Sequence, residues 1–150
     1  RFRGRESVGK VIGLRGTLAL PLGLEGADPT AVLVPEPGYT AAVARFEQCS
    51  YFQVGRLKVD GEGRCDRAIQ LFTSDDCNIY DVETRGVTED HLHVAGCNRI
   101  HIIRVKAPGA GGDILPLLID QPLAGDDEGA AQAAVDLADG CWRGRSSTRD

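Results

Sequence analysis

Glycine and proline interrupt this chain so often that a long helix has little room to form. Nineteen glycines and seven prolines are spread over 150 residues, and both residue types punctuate regular structure. The pieces between them are short and carry β-branched and aromatic side chains, the composition of strands. "GTLALPL" and "TAVLVPEPG" each read as a short strand closed by proline. "SYFQVGRLKVDGEG" reads as a longer one, with Phe52, Val54 and Val59 apolar and Asp60-Gly61 as a turn. "RAIQLFTSDDCNIYDVET" reads as strand, turn, strand, with Ser74, Asp75 and Asp76 bonding back to the turn backbone. "HLHVAGCNRIHIIRV" reads as the next hairpin and "DILPLLIDQPL" as a strand broken by prolines.

These elements predict a mainly β fold, an antiparallel β-sandwich of about eight short strands with a short C-terminal helix. The helix falls in "DDEGAAQAAVDLADG", where Asp126 or Asp127 can cap it and Gly140 can end it. Residues 39–48 fit either a short helix or a strand. No internal repeat is evident. Length predicts one domain: a flexible basic arm over 1–12, a β-rich body over 13–142 and a basic tail over 143–150.

Five cysteines, Cys49, Cys65, Cys77, Cys97 and Cys141, are scattered singly, without a CxxC pair or zinc-ribbon spacing. With 42% hydrophobic residues the core needs no staple. Single cysteines in a β-rich chain read as a disulfide framework and an oxidising compartment. Cys65 with Cys77 is the favoured local bridge, and Cys49 or Cys97 would reach Cys141. The fifth cysteine would be free or would join two chains as a homodimer. The chain contains no methionine, which fits a mature secreted form after removal of a signal peptide. No apolar run approaches the roughly 18 residues of a membrane helix.

Charge is uneven. Residues 1–16 hold Arg1, Arg3, Arg5, Lys10 and Arg15 against Glu6, whereas no basic residue lies between Lys106 and Arg143. A net charge of −5 argues against general nucleic-acid binding.

His91, His93 and His101 are the only histidines and lie close together in sequence. A loop at Gly96, Cys97 and Asn98 would pair His93 with His101 and His91 with Ile103 across a hairpin. Leu92, Val94, Ile100 and Ile102 then share the other face and enter the core. Three imidazoles on one wet face could form an open zinc or copper site, with Glu89 or water as fourth ligand. Arg99 beside His101 opposes a cation there, so a hydrated sheet face is the preferred reading and no cofactor is expected.

Other motifs are weaker. "APGAGGD" lacks the Lys-Ser/Thr of a phosphate-binding loop. Asp75 and Asp76 lack the spacing of a calcium loop. Glu47, Glu62, Asp60 and Asp66 could supply a carboxylate pair for a small secreted hydrolase. No nucleophile elbow accompanies them.

"CDRAIQLFTSDDC", Cys65 to Cys77, resembles a segment of small secreted cysteine-containing proteins of filamentous fungi. That resemblance covers about 40 residues and implies a crystallin-like β-sandwich with an effector-like, virulence-related role. It implies no shared catalytic residue and no calcium site. The expected function is therefore a secreted, disulfide-stabilised binding protein acting on a protein or cell-surface partner, with no catalytic residues. The alternatives are the hydrolase and a metal-binding protein using the histidines.

Overall fold

The computed structural model describes residues 1–107 and, beyond them, the strands at 117–120, 134–136 and 141–144. The described residues form thirteen strands: β1 (Arg5–Glu6), β2 (Gly9–Ile12), β3 (Leu22–Glu25), β4 (Val32–Leu33), β5 (Ala42–Glu47), β6 (Ser50–Cys65) and β7 (Arg67–Phe72). They continue with β8 (Asp75–Val87), β9 (Leu92–Ala95), β10 (Asn98–Lys106), β11 (Leu117–Asp120), β12 (Ala134–Asp136) and β13 (Cys141–Gly144).

The chain is strand-rich, as expected, but the architecture is not an antiparallel sandwich. It is a parallel β-solenoid of about 4 turns. One sheet runs β1-β4-β6-β8-β10-β13-β12, with β3 also on β6, and the other runs β11-β9-β7-β5-β2. Among the described strands every pairing is parallel except those of β13 with β10 and β12. Residues 1–12, expected to be a flexible arm, carry β1 and β2. The described residues contain no helix; of the expected helix, 134–136 form β12 and the rest lies outside the described residues.

Hydrogen-bond direction separates the two architectures. "HLHVAGCNRIHIIRV" does not fold back on itself: β9 pairs with β7 and β11 in one sheet, and β10 pairs with β8 in the other. Between them the chain turns a corner at Gly96 (φ 60°) and Arg99 (φ 52°). A left-handed residue at each bend redirects the strand without reversing it, so its backbone groups bond to the next coil rather than to a hairpin partner.

The corners repeat. Gly13, Gln48, Thr73 and Gly96 have φ of 71°, 54°, 46° and 60°; Tyr51, Asp76 and Arg99 have 49°, 53° and 52°; Arg56, Asp81 and Arg104 have 54°, 52° and 51°. Each set falls at one bend of successive coils. The register Ala44–Ile69–Leu92–Leu117 steps by 25, 23 and 25 residues. A repeat does therefore exist.

Inward side chains stack in columns: Phe46 on Leu71 on Val94, Phe52 on Cys77 on Ile100, Val54 on Ile79 on Ile102. All nine are buried. Leu92, Val94, Ile100 and Ile102 enter the core, as their alternation predicts, but from two different sheets.

The disulfide framework is not formed among the described residues. Cys49, Cys65, Cys77 and Cys97 are buried, and no disulfide joins cysteines among the described residues. Cys77 stands opposite Phe52 on β6, while Cys65 lies thirteen residues further along that strand, opposite Val87. The expected Cys65–Cys77 bridge would have to span that distance. The predicted bridges to Cys141 involve a side chain outside the described residues. Cys49 and Cys97 instead flank Ser74 at one bend: Cys49 N donates to Ser74 Oγ (3.0 Å) and Ser74 N to Cys97 Sγ (3.3 Å). Cys49, Cys65, Cys77 and Cys97 therefore act as small core residues.

Candidate functional site

The third bend of the coils, at Arg56, Asp81 and Arg104, carries a charged surface beside a groove. These residues lie in register on β6, β8 and β10, with Lys58, Glu83 and Lys106 two positions further along each strand. Two charged columns of the order plus, minus, plus result, running along the solenoid axis. A groove of about 280 Å³ lies along them. Its walls are these six side chains with Asp28 and Pro29, and the buried Ala31, Leu57 and Val82 form its floor. A second hollow of about 380 Å³ continues it past Arg56 towards Arg1 and Asp28.

The two columns differ in how their charge is used. Arg104 holds Asp81 through Nε and through Nη2 at 2.8 Å. This pairing keeps the Asp81 carboxyl below its ordinary range. Arg56 is held by Glu25. Lys58, Glu83 and Lys106 enter no ion pair among the described residues. Their charges stay available at the groove wall.

Glu25 fixes one end of the site. It sits on β3 and is only 7% exposed. Its Oε1 accepts from Gln53 Nε2 (2.8 Å) and the Tyr80 hydroxyl, and its Oε2 from Arg1 Nε (3.1 Å) and Arg56. The Tyr80 hydrogen bond, with the neighbouring guanidiniums, pulls its pKa down to about 2 despite the opposing effect of burial. The register Glu25–Gly55–Tyr80 explains the reach across two coils. Tyr80 spans the intervening strand because Gly55 presents no side chain. One carboxylate thus ties three coils together and orients Arg56 at the groove.

The residues singled out from the sequence are dispersed. His91 is buried, with Nδ1 2.9 Å from Thr84 Oγ1, and burial lowers its pKa. His93 meets Asp90 (3.3 Å), which also binds Arg67. His101 lies in the other sheet, opposite Asn78. No group of three His, Cys, Asp or Glu side chains among the described residues is placed to hold a metal ion.

Each carboxylate considered earlier has its own partner. Asp75 accepts from Asn98, and Asp76 takes a two-point contact from Arg99. Glu47 pairs with Lys10 and Arg45, Asp60 with Arg85, Glu62 with Arg5 and Arg64, and Asp66 accepts from Thr88. Of "APGAGGD", only Ala107 lies among the described residues.

The sequence reading missed Glu25, Tyr80, Lys58, Glu83 and Lys106. Their signal was the spacing: 25 residues separate Lys58 from Glu83, and 23 separate Glu83 from Lys106. Comparison with protein families, curated proteins and solved structures finds nothing that matches this chain. No helix among the described residues is long and apolar enough to cross a membrane.

Proposed function

We propose that this protein is a binding module whose groove receives an extended acidic segment of a partner protein. The supporting observation is the Lys58–Glu83–Lys106 column, whose charges are not consumed by ion pairs within the described fold. Neighbouring strands stack about 4.8 Å apart, so the two lysine backbones stand about 9.6 Å apart across Glu83. An extended polyproline-type chain advances about 3.1 Å per residue, placing every third side chain about 9.3 Å along. Carboxylates three residues apart therefore match the two lysines, while the residues between them avoid Glu83. Pro29, exposed at the groove, offers an apolar contact to a proline ring between the acidic positions.

A fluorescent peptide of Glu-Pro-Pro repeats, titrated with the protein, tests the reading. Saturable, salt-weakened binding is expected, and it should fall at least about tenfold in Lys58→Glu/Lys106→Glu. Glu83→Gln should tighten it. Binding indifferent to the lysine pair would overturn the assignment.

A further inference from the structure

We infer that the outward face of Tyr80 is a stacking platform for a neutral hexopyranose, one unit of a glycan. This inference is independent of the groove and uses none of its lysines.

The orientation of the ring carries it. A Cβ on Gly55 would stand 2.4, 2.5 and 2.6 Å from Tyr80 Cζ, Cε1 and Cε2. A point almost equidistant from three successive ring atoms lies over the ring and not at its edge. The phenol therefore lies flat on the sheet, one face against the buried backbone of Gly55. Tyr80 is only half-buried, so the surface it keeps open belongs to the opposite face. Its hydroxyl is tied to Glu25, which holds the ring in that plane.

Polar groups surround the platform. Alternate residues of a strand share a face, so Gln53 and Asn78 lie beside the ring, two positions before Gly55 and Tyr80. Gln53 leans over Gly23 as Tyr80 leans over Gly55: a Cβ on Gly23 would meet Gln53 Cγ at 3.2 Å. Its Nε2 donates to Glu25 (2.8 Å), which leaves the amide oxygen and a second N–H to face a ligand. Asn78 makes no side-chain hydrogen bond among the described residues. Arg56, exposed at the adjoining bend, keeps N–H donors beyond the one that Glu25 takes.

A hexopyranose with equatorial hydroxyls has the matching shape. Its faces present C–H bonds, whose slightly positive hydrogens rest on the negative face of an aromatic ring. Its hydroxyls project around the rim, where amides can both donate and accept. Charge complementarity selects a neutral sugar. Arg1 and Arg56 are paired with Glu25, and Arg104 with Asp81, so the cations beside the ring are already matched. A nucleobase would stack on the same face, and it is the competing occupant that the experiment separates.

Saturation-transfer NMR with cellohexaose, a chain of β-linked glucose, tests the platform. Saturation should fall most strongly on the C–H protons of the sugar ring, and the Tyr80 ring resonances should shift on titration. Tyr80→Phe and Tyr80→Leu both lose the Glu25 hydrogen bond, but only the second loses the ring. Tyr80→Leu should bind at least about tenfold more weakly, and Tyr80→Phe should stay within about threefold of the native protein. Lys58→Glu/Lys106→Glu should leave sugar binding unchanged, so failure of the groove reading and failure of this one are distinguishable. Circular dichroism checks the fold of each variant, and if Tyr80→Leu does not fold, the shifts of the native Tyr80 resonances decide. Neither transfer nor shift at millimolar cellohexaose would overturn the proposal. So would native-like binding by a folded Tyr80→Leu, or adenosine binding more tightly than the sugar.

Discussion

The ring of Tyr80 lies across Gly55, so close that a Cβ on Gly55 would stand 2.4 Å from Tyr80 Cζ. Two other ring atoms would lie within 2.6 Å of the same point. The phenol hydroxyl thereby reaches Glu25, one coil further along the stack. Gly55→Ala should displace the ring and break the Glu25 contact. A loss of about 1–3 kcal/mol is expected, read as a lower urea midpoint with an unchanged slope. Tyr80→Phe keeps the ring and removes only the donor, and should cost about 1–2 kcal/mol. If Gly55→Ala proved neutral, the ring would not be held where the structure puts it.

Part of this was legible in the sequence. Leu92, Val94, Ile100 and Ile102 alternate with polar neighbours, and that alternation placed them in the core correctly. Alternation does not specify the partner strand, however, and a parallel coil satisfies it as well as a hairpin does. The deciding residues are the corners, where Gln48, Thr73, Tyr51, Arg56, Arg99 and Arg104 hold positive φ without being glycine. None of them belongs to the residue types that announce a left-handed bend. The repeat was masked because successive steps differ by two residues and one bend is occupied by Cys49, Ser74 and Cys97 in turn. Glu25 lies 55 residues from Tyr80, so local pattern could not connect them.

The Glu25 network should impose a definite acid dependence on stability. Its folded pKa is lowered to about 2 from an ordinary 4.5. A carboxylate depressed in the folded state stabilises fully above its unfolded pKa and loses that contribution as pH falls through the folded value. The contribution is therefore complete near pH 6 and declines below about pH 4.5, down to about pH 2. At most about 3 kcal/mol is at stake. Urea midpoints measured across this range should fall more steeply for the native protein than for Glu25→Gln. Parallel curves would show that Glu25 is not the group responsible.

Thr73 offers a gain rather than a loss. It holds φ of 46° at a bend where Gly13 and Gly96 occur in other coils. β-Branched residues are the least suited to that conformation. Its Oγ1 is buried without a hydrogen-bond partner. Thr73→Gly relieves both the strain and the orphaned hydroxyl, against the extra freedom glycine brings to the unfolded chain. A net rise of about 0.5–1 kcal/mol is expected. The converse change, Gly96→Ala at the equivalent bend, should lower the melting temperature. Opposite signs for the two substitutions are the test.

Thiol chemistry distinguishes a stapled fold from the one described here. Burial raises the pKa of Cys65 and, much further, that of Cys77. Only a thiolate attacks a disulfide reagent, so both combine inaccessibility with a small reactive fraction at neutral pH. Labelling of Cys49, Cys65 and Cys77 by an aromatic disulfide should be slow in buffer and fast in denaturant, with peptide mapping assigning each site. Cys77→Ser should cost about 1–3 kcal/mol, because its hydroxyl enters an apolar column between Phe52 and Ile100. Adding reductant should leave the melting temperature of the native protein unchanged. A marked drop on reduction would mean that a bridge carries stability, and the packed-thiol account of the core would fail.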